Sequence, residues 1–272
     1  MSNFAESGRR HMFKTLEVWH RAGALWIALN RPQVLNAVDA TMMQELTEAI
    51  DHALRQTPVA IVFTGRGRAF CAGADLAWAR EFARDRDTRA RALFTRMGEA
   101  LQRLERSPVP AIAAVNGVCV AGGCELLLAC DLAVAAESAV IGDAHANYGL
   151  IPAGGATVRL PLLVGMRNAK RLLFLGELIS AREAQQIGLV NWVVPDDRLE
   201  SRVDEIVAAL EAKGPLALGR IKALTNLAWR TAYDVALELE RDQFFAHLTS
   251  DEVAEGLRAF QEKRKPRFRD LS

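Results

Sequence analysis

Residues 116–125 read Asn-Gly-Val-Cys-Val-Ala-Gly-Gly-Cys-Glu, and this stretch decides which fold and which kind of site the chain forms. Gly122 and Gly123 open an apolar helix, and Glu125 lies within its first turn. The free backbone N–H groups and the positive dipole end of such a helix favour an oxyanion. Glu125 is suited to capping the helix and equally to acting as a catalytic base. The segment therefore predicts a site that stabilises negative charge beside a carboxylate.

A second glycine-bearing loop, residues 69–75, reads Ala-Phe-Cys-Ala-Gly-Ala-Asp and follows a predicted buried strand at 59–63. A loop in that position can present backbone N–H groups to a ligand, although a simple glycine turn explains the residues equally well. Gly65-Arg66-Gly67 precedes it, but the third glycine of a dinucleotide-binding fingerprint is missing. Nucleotide binding through that fingerprint is therefore not expected.

The order of the predicted elements indicates a mixed α/β core. A two-strand ribbon at 16–20 and 24–30 leads to a helix at 39–56, with Asp39 as its N-cap. The predictions that follow are a helix within 76–106, strands at 111–115, 132–135, 139–141 and 189–194, and helices at 196–212, 215–228, 233–247 and 251–262. Repeated strand–strand–helix units favour an α/β core over residues 1–195 and a helical C-terminal region over 196–272.

Composition excludes several classes of protein. Half of the 272 residues are hydrophobic, and 34 basic residues nearly balance 33 acidic ones, so no overall field favours nucleic acid or an anionic membrane. No apolar stretch approaches the roughly 20 residues of a membrane helix, and residues 1–20 resemble neither a secretory signal nor an anchor. The four cysteines match neither a zinc pattern nor a disulfide framework. We expect a cytoplasmic protein with reduced thiols and no metal.

The two glycine segments together resemble the crotonase family, also called the enoyl-CoA hydratase/isomerase superfamily, and the resemblance covers nearly the whole chain. Supporting segments lie at residues 29–32, 35–37, 149–152, 179–184, 187–190 and 255–264. The resemblance implies an α/β spiral of strand–strand–helix units with a helical C-terminal trimerisation region. It also implies an acyl-CoA thioester as substrate, no cofactor beyond the coenzyme A moiety of that substrate, and assembly as a homotrimer or a dimer of trimers.

The same resemblance implies roles for individual residues. The backbone N–H groups of Ala74 and Gly122 would bind the thioester oxygen, and Glu125 matches the first of two catalytic glutamates in family hydratases. Residues at positions that contact coenzyme A in the family are Leu35, Ala72, Leu76, Phe244 and Lys263. Gln33 stands where the family usually has a lysine, so one phosphate contact is not expected.

This sequence departs from the hydratase pattern at the second glutamate, where it has His145. An imidazole with an ordinary pKa near 6.5 can act as an acid or a base near neutral pH, and a structural role is also open. Asp143, Asn147 and Tyr148 lie close in sequence and could supply polar groups instead. Ala153 stands where hydratases usually have a glycine whose N–H holds water; alanine keeps the N–H and adds a methyl group.

The favoured prediction is an enoyl-CoA hydratase or hydratase-lyase with Glu125 as acid/base, possible assistance from His145, and an oxyanion-stabilised enolate. Isomerisation, thioester hydrolysis and decarboxylation remain alternatives within the family, as does a noncatalytic acyl-CoA binder. An RNA-binding role rests only on the basic tail at 263–269, because no basic patch with interleaved aromatic residues lies elsewhere in the sequence, and this role is not favoured.

Overall fold

A computed structural model describes residues 13–75, 77–78, 88–228, 231, 250–264 and 267–270. The predicted helix at 233–247 lies outside these residues, as do Leu76 and Phe244. Within the described ranges, no helix is long and apolar enough to cross a membrane. In the same part of the chain, no group of three or more His, Cys, Asp or Glu side chains is placed to hold a metal ion.

The described residues form two β-sheets. The strands are β1 Leu16–Arg21, β2 Ala24–Leu29, β3 Ile61–Gly65, β4 Ala69–Cys71, β5 Ala111–Val115, β6 Val118–Val120, β7 Leu132–Ala136, β8 Val140–Gly142, β9 Ile179–Ser180 and β10 Trp192–Val194. The larger sheet has the order β1-β2-β3-β5-β7-β10 and the smaller one β4-β6-β8-β9. The pairs β1–β2 and β8–β9 are antiparallel, and the other pairs are parallel.

Consecutive strands alternate between the sheets, and this alternation builds a spiral. β3, β5 and β7 are neighbours in the larger sheet, whereas β4, β6 and β8, which follow them in sequence, are neighbours in the smaller one. Each turn of the chain therefore adds one strand to each sheet. The strand–strand–helix repeat predicted from the sequence has this architecture.

Helices cover both faces of the larger sheet. The helices of the described residues are α1 Ala40–Gln56, α2 Thr88–Arg106, α3 Gly122–Leu128, α4 Ala156–Leu175, α5 Ala181–Gln186, α6 Leu199–Glu211, α7 Pro215–Ala228 and α8 Asp251–Gln261. Leu25 and Ile27 of β2 point into one hydrophobic cluster with α1, while Trp26 points into another with α6. Because both faces are covered, β2, β3 and β5 are buried along their whole length and show no alternation of buried and exposed residues.

Most predicted elements are confirmed, including the N-cap of α1, where the Asp39 carboxylate accepts a hydrogen bond from the Met42 N–H at 2.8 Å. The strand predicted at 189–194 begins only at Trp192. Leu189 and Val190 instead close the end of α5, since both of their N–H groups donate to the carbonyl of Ala184. The short strands β4, β6 and β9 were not predicted, and the first of them lies within the segment that was expected to be a loop.

Candidate active site

The centre of the site is the turn between β6 and α3. Ala121 has a φ of 51°, which is rare for a residue with a side chain, and its N–H donates to the carbonyl of Gly142 at 3.1 Å. This turn directs the chain from the small sheet straight into α3. The first residue of α3, Gly122, therefore has a backbone N–H with no partner inside the helix.

The loop after β4 lies directly against this turn. Gly73 has a φ of 92°, and a Cβ atom there would be 2.8 Å from the Cβ of Ala121 and 3.6 Å from the nitrogen of Gly122. Only glycine permits this approach, which places Ala74 beside the start of α3. Across the described ranges, no protein oxygen accepts a hydrogen bond from the N–H of Ala74 or Gly122. The two predicted oxyanion donors are thus brought together.

Glu125 lies one turn into α3 and is only 6% exposed. Its Oε1 accepts hydrogen bonds from the N–H groups of Gly154, at 2.5 Å, and Ala156, at 3.4 Å. Burial raises the pKa of Glu125, while the charge of His145 and the two backbone bonds lower it; the pKa lies above its ordinary value. Both of these hydrogen bonds come from residues beyond α3, and neither comes from the first turn of the helix that carries Glu125. A buried carboxylate is held at the site by a different loop.

His145 begins a short 3₁₀ helix, His145–Tyr148, and is paired with Asp143. Its Nδ1 lies 2.9 Å from Oδ2 of Asp143, and its backbone N–H donates to Oδ1 at 3.2 Å. Burial lowers the pKa of His145, but the hydrogen bond to Asp143 and the negative charges of Asp143 and Glu125 outweigh it and raise the pKa. The charges of His145 and Glu125 therefore act on each other within one site.

Two of the predicted coenzyme A contacts lie together near the oxyanion donors. The N–H of Ala72 donates to the carbonyl of Leu35 at 3.0 Å. The loop at Leu35 is held by Asn36, which is fully buried and whose amide donates to the carbonyls of Arg66, Ala69 and Phe70. Asn36 belongs to the matching segment at residues 35–37, but no sequence pattern predicted that it bridges these two loops.

The remaining predicted coenzyme A contacts are not joined to this site in the described residues. Lys263 is exposed on the turn after α8, with a φ of 52°. Leu76 and Phe244 lie outside the described residues.

Ala153, which stands where hydratases usually have a water-holding glycine, is exposed. The neighbouring residue Gly154 supplies the N–H that holds Glu125.

Sequence reasoning also missed a partly buried ion pair behind the loop that holds Glu125. The Nε of Arg159 in α4 donates to Oε1 of Glu105 in α2 at 2.6 Å, and each side chain is 12% exposed. Arg159 also donates to the carbonyl of Gly154. Arg159 thereby fixes the loop that holds Glu125. The only sequence signal was an arginine between apolar residues at 158 and 160.

Comparison with known proteins identifies this arrangement. The sequence model of the enoyl-CoA hydratase/isomerase family matches residues 20–271. A crotonyl-CoA hydratase of Syntrophomonas wolfei is 36% identical over 256 residues, which cover 93% of this chain and 96% of the relative. A solved enoyl-CoA hydratase from Bacillus anthracis is 34% identical, with a TM-score of 0.87 over 94% of this chain and 99% of that one. The chain belongs to the enoyl-CoA hydratase/isomerase family, the crotonase superfamily.

A further relative, a short-chain-enoyl-CoA hydratase of Clostridium acetobutylicum, is 34% identical over 241 residues, covering 88% of this chain and 91% of the relative. The protein is thus an enzyme of the crotonase type. The predicted superfamily and its α/β fold are confirmed. The division at residue 195 and the individual residue roles stay predictions.

Proposed function

We propose that this enzyme is an enoyl-CoA hydratase, which adds water across the double bond of a 2-enoyl-CoA thioester. The observation that carries this proposal is the Glu125 carboxylate, buried one turn after the Gly122 N–H and coupled to His145. The names of the relatives also support it, since several are hydratases of enoyl-CoA thioesters. A hydratase-lyase uses the same first step.

In the proposed mechanism, the ionised carboxylate of Glu125 takes a proton from water as the water oxygen bonds to the β-carbon. The electrons of the double bond move toward the thioester, and its oxygen becomes negative. The N–H groups of Ala74 and Gly122 stabilise that oxygen, each by about 3–4 kcal/mol. Protonated His145 then donates its proton to the α-carbon, which gives the 3-hydroxyacyl thioester.

The proposal is tested by incubating the purified protein with a panel of enoyl-, 3-hydroxyacyl- and aryl-CoA thioesters and recording masses and products. We expect the enoyl thioesters to gain one water. Isomerised, hydrolysed or decarboxylated product in its place would identify one of the other reactions of the family. Binding without conversion of any thioester would indicate a noncatalytic acyl-CoA binder.

The pH profile of kcat/KM is expected to be bell-shaped, because Glu125 must be ionised and His145 protonated. The acid limb should lie above the ordinary Glu pKa of 4.5, and the alkaline limb above the ordinary His pKa of 6.5, since both pKa values are raised. Because Glu125 and His145 interact, the pKa values of the two limbs describe the pair and not either residue alone. A rate that stays constant on the alkaline side through and above the histidine range would contradict a proton donated by His145.

Gly154→Ala is expected to lower kcat/KM by about 100-fold, because displacing a catalytic group by about 1 Å has this effect. A Cβ atom at residue 154 would lie 2.7 Å from Oε2 of Glu125, so the carboxylate must shift although the N–H remains. Steady-state kinetics measures the change. Gly98→Ala is the control, since a Cβ atom there meets no atom within 4 Å. Unchanged kinetics in Gly154→Ala would show that the carboxylate position is not critical.

For assembly, we propose a homotrimer or a dimer of trimers that uses an apolar surface along α4 and the preceding loop. Its exposed members are Tyr148, Leu150, Ile151, Val158, Leu162, Leu163, Met166, Phe174 and Leu175. Ile151 is 85% exposed and Phe174 70%. Clusters of exposed apolar side chains usually mark contact surfaces. The C-terminal helical region would add to the same assembly.

Met166→Glu is expected to dissociate the assembly, because it places a charge within this surface, where Met166 is 58% exposed. Met166→Leu should leave the assembly intact. Light scattering coupled to size-exclusion chromatography measures both masses. An unchanged mass for Met166→Glu would place the interface elsewhere.

The coenzyme A moiety is proposed to lie along Leu35 and Ala72, with Leu76, Phe244 and Lys263 as further contacts.

A cytoplasmic location is proposed as well. The four cysteines are free thiols, and this favours a reducing compartment.

A further inference from the structure

Asp143 is an almost fully buried carboxylate next to the proposed site. It follows β8 directly, and its side chain is 1% exposed. Buried charges need partners, and Asp143 has two: the backbone N–H of His145 on Oδ1 and the ring Nδ1 of His145 on Oδ2. Ala144 between them has a φ of 58°, which folds the histidine back over the aspartate.

This geometry determines which ring nitrogen of His145 carries a proton. An ionised carboxylate only accepts hydrogen bonds, so Nδ1 must be the donor in the 2.9 Å contact. In neutral His145 the proton is therefore on Nδ1, and Nε2 has the lone pair. Only Nε2 can then exchange a proton with a substrate or water.

We propose that Asp143 is a positioning residue that holds His145 in the Nδ1–H tautomer, so that Nε2 is the second proton carrier beside Glu125. The proposal rests on the proposed hydration of enoyl thioesters and deepens it. The site then works with one glutamate and an Asp–His pair, in which the proton for the α-carbon comes from nitrogen. Glu125, Asp143 and His145 would then take the place of the two glutamates of the family pattern.

The groups around His145 favour its protonated form, which the proposed mechanism requires. Asp143 comes from the end of β8, and Glu125 comes from α3; both are negative and favour protonated His145. The thiol of Cys124, also on α3, has a pKa raised by burial and then by the charges of Asp143 and Glu125, so it stays neutral. The positive charge of protonated His145 in turn lowers the pKa of Glu125.

The Asp143→Asn variant tests whether Asp143 positions His145 for proton transfer or only supports the fold. The backbone N–H and the ring Nδ1 of His145 each donate to one oxygen of Asp143. Asparagine has one acceptor oxygen where the carboxylate has two, so it cannot accept both hydrogen bonds in the same way. We expect kcat to fall about 100-fold with KM nearly unchanged. The alkaline limb of the pH profile should move to lower pH, because the negative charge that raises the pKa of His145 is lost.

Asp196→Asn is the matched control. Its carboxylate also accepts a backbone N–H, from Ser138 at 3.0 Å, but it lies outside the site. Its kcat and pH profile should equal those of the wild type. An Asp143→Asn variant that keeps the wild-type kcat and alkaline limb would overturn the proposal.

Nitrogen-15 NMR of the His145 ring in the wild-type protein gives a second readout that needs no variant and no turnover. A protonated Nδ1 and an unprotonated Nε2 at alkaline pH are expected. The opposite tautomer would overturn the proposal even if hydration is confirmed. The expected tautomer in a protein that hydrates no thioester would mean that the proposed function fails while the pairing of Asp143 with His145 stands.

Discussion

Glu125→Gln is expected to lower kcat for hydration by about 1,000-fold, because a neutral amide cannot take a proton from water. The change keeps the shape of the side chain. The amide oxygen can still accept the hydrogen bonds from Gly154 and Ala156 that now hold Oε1. Thioester binding and folding should therefore persist while turnover is lost. Kinetics on the best enoyl thioester of the panel, together with calorimetric binding of that thioester, measures both effects.

Glu137→Gln is the control for this experiment. Glu137 is an exposed glutamate that pairs with Arg182 at the surface, so its replacement should change neither kcat nor binding. Retained turnover in Glu125→Gln would exclude Glu125 as the acid/base. Loss of both turnover and thioester binding would show instead that its carboxylate contributes to binding.

Lys222→Met is expected to have the largest effect on stability, lowering the free energy of unfolding by about 3 kcal/mol. Lys222 in α7 is 7% exposed, and its ammonium group donates to the carbonyls of Leu104 and Val109. It also lies 2.7 Å from Oδ2 of Asp131. Methionine fills a similar volume but leaves two carbonyls and a carboxylate without this partner. Denaturant unfolding followed by circular dichroism measures the loss.

Lys213→Met provides the comparison, since Lys213 is exposed and its replacement should change the free energy of unfolding by less than about 0.5 kcal/mol. A similarly small change for Lys222→Met would show that water replaces the lysine at these carbonyls. The contact matters for the fold because Leu104 is in α2, Val109 precedes β5, and Asp131 precedes β7. Lys222 thereby joins the helical C-terminal region to the spiral.

Backbone geometry and local patterns predict only those parts of the candidate site that depend on residues close together in the chain. Gly122 and Glu125 are three residues apart in one helix, so their shared position follows from helix geometry. Ala74 and Gly122 were paired through a family resemblance, and the approach of Gly73 to Ala121 gives the physical reason for that pairing. The bond from Gly154 to Glu125, across 29 residues, had no sequence pattern to reveal it.

By itself, the sequence determined most of the longer strands and helices, and the residue that caps α1. Apolar runs, the Asp39 N-cap and the glycines of α3 act over a few residues, where backbone geometry alone relates one side chain to the next. Only the tertiary structure decided which loop holds Glu125 and which helix supplies the partner of Arg159, 54 residues away. It also decided that Asp143 and His145 turn toward each other. These contacts depend on how successive turns of the spiral stack, because stacking sets the distance between loops that are remote in sequence.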